Sequence, residues 1–227
     1  MSISQEQTVS KKYQIKRMKN NLVELSFDNV ARVEAMIYEN SYYKNNKPSS
    51  SRSMIKNLTE ESYNELIGQI VDAVDKENST HLNSDKCGRT NVTARLQKYT
   101  FSELKELLKN ENGEFVLLNE IAFSNDTEEK DHFSFATKLC HNLCMELLQG
   151  TPYEDGYCKY DTVLEKALPL YYKEYCGKVI KPSNYRKQYS TYIKYVDEIR
   201  QAAQEHHGGN KISRNGFDHL IWYCHKG

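Results

Sequence analysis

The 227-residue chain is 38% hydrophobic and 27% charged with only four prolines, a composition typical of globular and not of disordered proteins. Its formal net charge is zero, so the total charge gives no sign of nonspecific nucleic-acid binding. No apolar stretch approaches the roughly 18 residues of a membrane span, and the first residues lack the apolar region of a secretory signal, so we expect a cytoplasmic protein with no membrane partner.

Charge is nevertheless uneven along the sequence. Residues 1–25 carry five basic side chains against two acidic ones and are interpreted as a basic N-terminal segment. A second basic stretch runs from Lys173 to Lys194. Phosphate binding needs a local positive surface and not a positive total, so both stretches are compatible with nucleic-acid contact or with ordinary solvated faces.

The first half of the chain predicts two helices separated by a linker. Asp28 is expected to cap a helix whose apolar residues recur at helical spacing. Residues 44–53, KNNKPSSSRS, are the most linker-like stretch in the chain. A second helix is predicted to start at Thr59, because two acids follow it and an apolar stripe comes next.

Polar and acidic segments follow. Residues 76–95 have weak periodicity, and no helix is predicted there. Thr100 and Glu103 form a capping-box pattern that opens a short helix. The apolar run from Phe115 to Leu118 fits a strand or a helix, and the acidic residues 124–132 read as a loop.

The second half predicts longer helices, so the fold class is mostly α. A central apolar helix is expected to end at Gly150, and another helix begins with Asp161 in its first turn. Pro169 should end or kink that helix because proline lacks an amide N–H. Ser183 and Ser213 are predicted to cap the last two helices.

Three side chains around the central helix are candidates for chemistry. Phe135 and Lys138 are three residues apart and therefore share a face. Lys138 is either a lysine held on an apolar surface for chemistry or one that extends from a core helix into solvent. Asp161 is either a catalytic carboxylate or a plain helix cap.

The last helix and the cysteines complete the candidates. Asp218 and Trp222, the single tryptophan, lie one turn apart. Taken alone, Asp218 is simply an acid in the first turn of a helix, and Trp222 is simply a core ring. The six cysteines lack the spacing of a zinc or iron–sulfur site, so we expect reduced structural thiols, no metal and no cofactor.

The order of these residues resembles the helix-hairpin-helix DNA glycosylases, and most closely their archaeal 8-oxoguanine glycosylase branch. The similar pattern is an apolar helix with Phe135 and Lys138, Asp161 at the next helix start, and Asp218 and Trp222 near the C-terminus; it covers about residues 130–225. The resemblance implies a two-lobed helical fold over residues 26–227, with a pocket between the lobes. It further implies that Phe135 and Trp222 sandwich an extruded base and that Asp218 contacts the edge of that base.

The same resemblance implies catalytic roles. Asp161 matches the family aspartate that stabilises positive charge on the sugar during cleavage of the glycosidic bond. Lys138 would supply a Schiff-base nucleophile, although alignment on Phe135 places Asp131 at the lysine position and would leave the attack to water. The glycine-rich hairpin that usually grips a DNA phosphate is absent, and the acidic residues 124–132 stand in its place.

These patterns lead to three hypotheses. The first is a DNA glycosylase, with or without lyase activity, that excises a modified or damaged base in repair or in defence against phage. The second is a catalytically inactive module of the same fold that binds nucleic acid or a nucleotide. The third is a purely structural helical protein.

Overall fold

Ten α-helices form the regular structure of the part of the chain that the computed structural model describes, residues 15–18, 21–39, 50–82, 88–123 and 132–226. In chain order they are α1 Phe27–Glu39, α2 Ser50–Lys56, α3 Tyr63–Asn78, α4 Gly88–Leu96, α5 Phe101–Lys109, α6 Val116–Ala122, α7 Phe133–Leu147, α8 Thr162–Cys176, α9 Tyr189–His206 and α10 Arg214–His225. A 3-10 turn, Pro182–Asn184, precedes α9. The prediction of a mostly α fold is confirmed.

The chain divides into two units, each built from separate stretches. The first unit consists of Met1–Asn46, Thr162–Asn184 and Lys194–Gly227, and the second of Lys47–Asp161 and Tyr185–Ile193. Helix α9 therefore contributes its first residues to the second unit and the remainder to the first. A separate segment 1–25, a single domain 26–227 and a pocket between lobes stay predictions.

Helix α7 is the centre of the second unit. It packs against α2, α3, α5 and α6. Ten of its fifteen residues are buried, which is expected of a helix surrounded by others on most of its sides. The predicted central apolar helix is therefore confirmed, although it ends at Leu147, a few residues before Gly150.

The predicted linker 44–53 is partly helical, because residues 50–53 belong to helix α2. Residues 44–49 lie outside the described residues. The carboxylate of Glu77 on α3 accepts a hydrogen bond from the Ser51 backbone N–H, 3.0 Å away, at the start of α2. Arg52 and Lys56 both form ion pairs with Glu146 on α7, whose side chain is only 2% exposed. These partners are distant in sequence, so local pattern alone predicts a linker where tertiary contacts stabilise a helix.

Helix α4 forms in a stretch for which the sequence predicted no helix. Its Arg89 donates through Nε and Nη2 to the buried carboxylate of Asp75 on α3, at 3.1 and 2.9 Å. The same carboxylate accepts from the Thr80 hydroxyl at 2.6 Å and from the Leu82 backbone N–H at 3.0 Å. Paired donation from Arg89 to one oxygen of a buried acid compensates for the weak apolar periodicity of this segment.

Helices α5 and α6 follow local signals more closely. The capping box of α5 is confirmed, since Thr100 accepts from the Glu103 backbone N–H and the Glu103 side chain accepts from the Thr100 backbone N–H. The apolar run Phe115–Leu118, left open between strand and helix, is the start of α6. Phe115 precedes that helix in the left-handed region at φ 50°, and its ring is buried.

In the first unit, α10 packs against α1 and α8. The predicted cap is confirmed, because the Ser213 hydroxyl accepts a hydrogen bond from the Gly216 backbone N–H at 2.9 Å. Gly216 lets α1 approach closely: a Cβ at this position would lie 2.7 Å from Cγ1 of Val30. The close approach explains a glycine in the first turns of a helix, where it is otherwise unfavourable.

A buried amide closes the turn before α1, which we call the Lys16–Glu24 turn. The side chain of Asn29 is fully buried and accepts from the Lys16 backbone N–H at 3.0 Å. Its amide nitrogen donates to the carbonyl oxygens of Lys16 and Glu24, at 2.9 and 2.7 Å. One side chain thus satisfies three backbone groups that a short turn would otherwise leave unpaired.

Four helix boundaries differ from the prediction. Asp28 lies inside the first turn of α1 and not before it, and α3 begins at Tyr63, after Thr59 and the turn that follows. Pro169 lies within α8 and does not end it, since the helix continues to Cys176 with Tyr171 and Tyr172 buried after the proline. Ser183 belongs to the 3-10 turn, and α9 begins at Tyr189. Among the described residues, none of the helices has the length and apolar character that a membrane crossing requires.

Candidate functional site

The residues Tyr157–Asp161 form an irregular segment that lies against α7 and ends where α8 begins; we call it the anchored segment. The Ser134 hydroxyl donates to the Tyr160 carbonyl at 3.0 Å, and the Tyr160 backbone N–H donates to the Thr137 hydroxyl oxygen at 3.0 Å. The ring nitrogen Nδ1 of His141 lies 3.0 Å from the Tyr157 carbonyl, so it carries the proton and donates it. Three polar side chains of α7 therefore hold both ends of the segment.

The spacing of these side chains follows from helix geometry. Ser134, Thr137 and His141 are separated by three and four residues, which places them along one edge of α7. Thr137 is itself oriented, because its hydroxyl also donates to the Ser134 carbonyl at 2.9 Å. The hydroxyl groups of Ser134 and Thr137 are thus oriented to hydrogen-bond the backbone of the anchored segment.

Two tyrosines from the start of α9 hold the middle of the anchored segment. The Tyr189 hydroxyl accepts from the Cys158 backbone N–H at 2.7 Å and donates to the Cys158 carbonyl at 2.6 Å. The Tyr192 hydroxyl donates to the Lys159 carbonyl at 2.6 Å. Both tyrosines are buried, so these hydrogen bonds replace water around backbone groups that a loop usually leaves to solvent.

Aromatic packing adds rigidity to the same region. The Tyr160 ring makes edge contacts with Phe133 and Tyr192, with centroid distances of 5.1 and 5.2 Å. Phe115 makes edge contacts with Tyr157 and Tyr189, with centroid distances of 5.5 and 4.6 Å. Such pairs stabilise by about 0.5–1.5 kcal/mol beyond the area they bury. The anchored segment is therefore fixed by hydrogen bonds along its backbone and by rings at its sides.

This anchoring joins the chain neighbours of two predicted catalytic residues. Lys138 follows Thr137 on α7 and lies one turn after Ser134, and Asp161 follows Tyr160, the residue that both hydroxyls bind. Lys138 and Asp161 are both half-buried, so each is accessible from solvent while its backbone is fixed.

Phe135 occupies a different environment from the one its predicted role requires. Its side chain is only 1% exposed, on the inner side of α7 among the core residues of the second unit. A base can stack only on a ring that presents a free face. The position of Phe135 therefore gives no support to its predicted role as one side of a base sandwich.

Asp218 and Trp222 are brought together in the first unit, on one face of α10. Asp218 is buried, at 4% exposure, whereas Trp222 is half-buried. The ammonium of Lys226 lies 4.0 Å from the centroid of the Trp222 ring, in cation–π contact. Trp222 thus has a partly accessible ring beside a positive charge.

The positions that bear on an alternative nucleophile fall outside the described residues. These are Asp131, its neighbour Lys130, and the acidic stretch 124–131. Lys138 lies within the described residues, on α7.

The described cysteines are free thiols in apolar surroundings. Cys140, Cys144 and Cys158 are buried, and burial raises the pKa of the Cys140 thiol well above its ordinary value, which keeps it protonated and unreactive. Within the described ranges, no group of three or more histidine, cysteine or acidic side chains is placed to hold a metal ion.

Sequence reasoning missed the residues that position the site. Ser134 and Thr137 carry a weak local signal, since hydroxyl residues three apart on an apolar helix are unusual there. Tyr189 and Tyr192 carry none at all, because their partners are 31 and 33 residues away. The high tyrosine content, 17 residues, is the one feature of the composition that relates to hydrogen bonds between buried tyrosine hydroxyls and loop backbone.

Comparisons with known proteins were made at three levels. The chain matches no family model, no curated protein and no solved structure.

Proposed function

We propose that this chain is a glycosylase-like enzyme that excises a modified or damaged base from DNA, with Asp161 and Lys138 as its catalytic pair. The observation that carries the proposal is the attachment of Tyr160, the chain neighbour of Asp161, to Ser134 and to Thr137, the chain neighbour of Lys138. The anchored segment forms hydrogen bonds with two hydroxyl groups of α7 and with two tyrosines, and it makes several ring contacts. A simple connection between two helices does not require so many contacts.

The chemistry follows from the two side chains. As the bond between C1′ and the base nitrogen breaks, its electron pair leaves with the base and positive charge develops on the sugar. The Asp161 carboxylate stabilises that charge. The lone pair of Lys138 Nζ, once the amine has lost its proton, then forms a bond to C1′ and, after ring opening, a Schiff base; alternatively water attacks and leaves an abasic sugar.

Trp222 and Asp218 belong to the first unit, so their predicted role in base recognition is not part of the proposed catalytic site. Phe135 is not included, because its buried ring has no face for a base.

Substitution at the two catalytic positions tests the proposal. Purified variants are assayed against duplexes with oxidised, deaminated, alkylated and phage-type modified bases, since the geometry selects none of these. Asp161→Asn should lower base release by about 10² or more, roughly 3 kcal/mol of transition-state stabilisation. Asp155→Asn, in the turn before the anchored segment, is the matched control and should retain activity.

Borohydride reduction distinguishes the two nucleophiles. If Lys138 attacks, the reagent traps a covalent protein–DNA adduct that Lys138→Gln abolishes and Lys98→Gln, an exposed lysine of the same unit, preserves. If water attacks, no adduct forms and strands break only after alkali. Equal base release by the wild type and by Asp161→Asn would refute the catalytic assignment.

The burial of Phe135 favours one second candidate, an inactive module of the same fold that binds nucleic acid or a nucleotide. A module of this kind needs no pair of rings around an extruded base. Binding of DNA by the wild type, with no base released from any member of the panel, is the result that this candidate predicts.

A further inference from the structure

We draw no further inference here: the strongest candidate, the small cavity of the first unit beside the start of α8 and the end of α10, lined by Val163, Leu170, Lys166 and Lys226 among others, carries no proposal, because a helix start and exposed lysines do not by themselves indicate a ligand and nothing in the described part of the chain shows what covers its apolar side.

Discussion

Two buried tyrosines in the second unit should respond in opposite directions to the same substitution. Tyr157 and Tyr189 are fully or almost fully buried, and their rings stack with centroids 6.1 Å apart. The Tyr189 hydroxyl makes two hydrogen bonds to the backbone of Cys158. The Tyr157 hydroxyl is buried and has no hydrogen-bond partner among the described residues. Replacing each tyrosine with phenylalanine removes one oxygen and leaves the ring packing in place.

The expected magnitudes follow from these contacts. Each hydrogen bond contributes about 1 kcal/mol net, and a buried backbone group deprived of its partner costs about 1–3 kcal/mol. Tyr189→Phe should therefore lower the free energy of unfolding by about 2–4 kcal/mol. A buried hydroxyl without a partner carries a desolvation cost of about 1–3 kcal/mol, so Tyr157→Phe should raise the free energy of unfolding by about 1 kcal/mol.

Urea unfolding followed by circular dichroism measures both changes in one experiment. For a chain of this length, 1 kcal/mol corresponds to a shift in Tm of about 2–4 °C, so thermal melts should separate the two variants clearly. Tyr189→Phe should also reduce base release, because it loosens the segment that carries Asp161. Equal destabilisation by both substitutions would refute the reasoning, since it would mean that the Tyr157 hydroxyl contributes as much as that of Tyr189.

Three further predictions concern the first unit. Asn29→Asp should cost about 2–4 kcal/mol in urea unfolding, because a carboxylate cannot donate to the two carbonyls of the Lys16–Glu24 turn, while unchanged stability would exclude the assigned amide orientation. Gly216→Ala should lower Tm despite the better helix propensity of alanine, because the new Cβ meets Val30 at 2.7 Å; a rise in Tm would show that α1 yields easily. The pKa of His225 is lower in the folded protein than in the unfolded chain, so its contribution to stability is full above about pH 6.5. That contribution falls as the pH drops from this value toward the folded pKa, because a protonated imidazole cannot accept the hydrogen bond from the Tyr171 hydroxyl. His225→Gln should flatten that part of the urea midpoint–pH profile, and parallel profiles would contradict the prediction.

Local sequence signals were sufficient wherever a helix carries its own start signal. The capping box of Thr100 and Glu103 pairs backbone N–H groups at the start of α5, and the Ser213 hydroxyl pairs one at the start of α10. In both cases the partners are only three residues apart in the chain. The apolar density of α7 likewise identifies it as the helix that others surround. Such features depend on neighbours in sequence, and they can be read without coordinates.

Helices α2 and α4 show where local signals end. Their sequences are short and polar, and isolated helices of that length are not stable in water. Glu146 and Asp75, far from them in the chain, supply the buried charges that make helix formation favourable. Pro169 shows the converse, because α8 continues past it, where Tyr171 and Tyr172 are buried, despite the lost hydrogen bond.

The candidate site divides in the same way. The sequence by itself determined which residue types are present: an acid at a helix start, a lysine on an apolar helix, and an acid and a tryptophan one turn apart. Only the tertiary structure decided that Tyr160, next to Asp161, is bound to Thr137, next to Lys138, that Phe135 is closed off in the core, and that Lys166 and Lys226 share a cavity. The physical reason is that proximity and burial depend on hydrogen bonds and packing between residues tens of positions apart, such as Tyr189 and Cys158, whose complementarity leaves no periodic pattern in the chain.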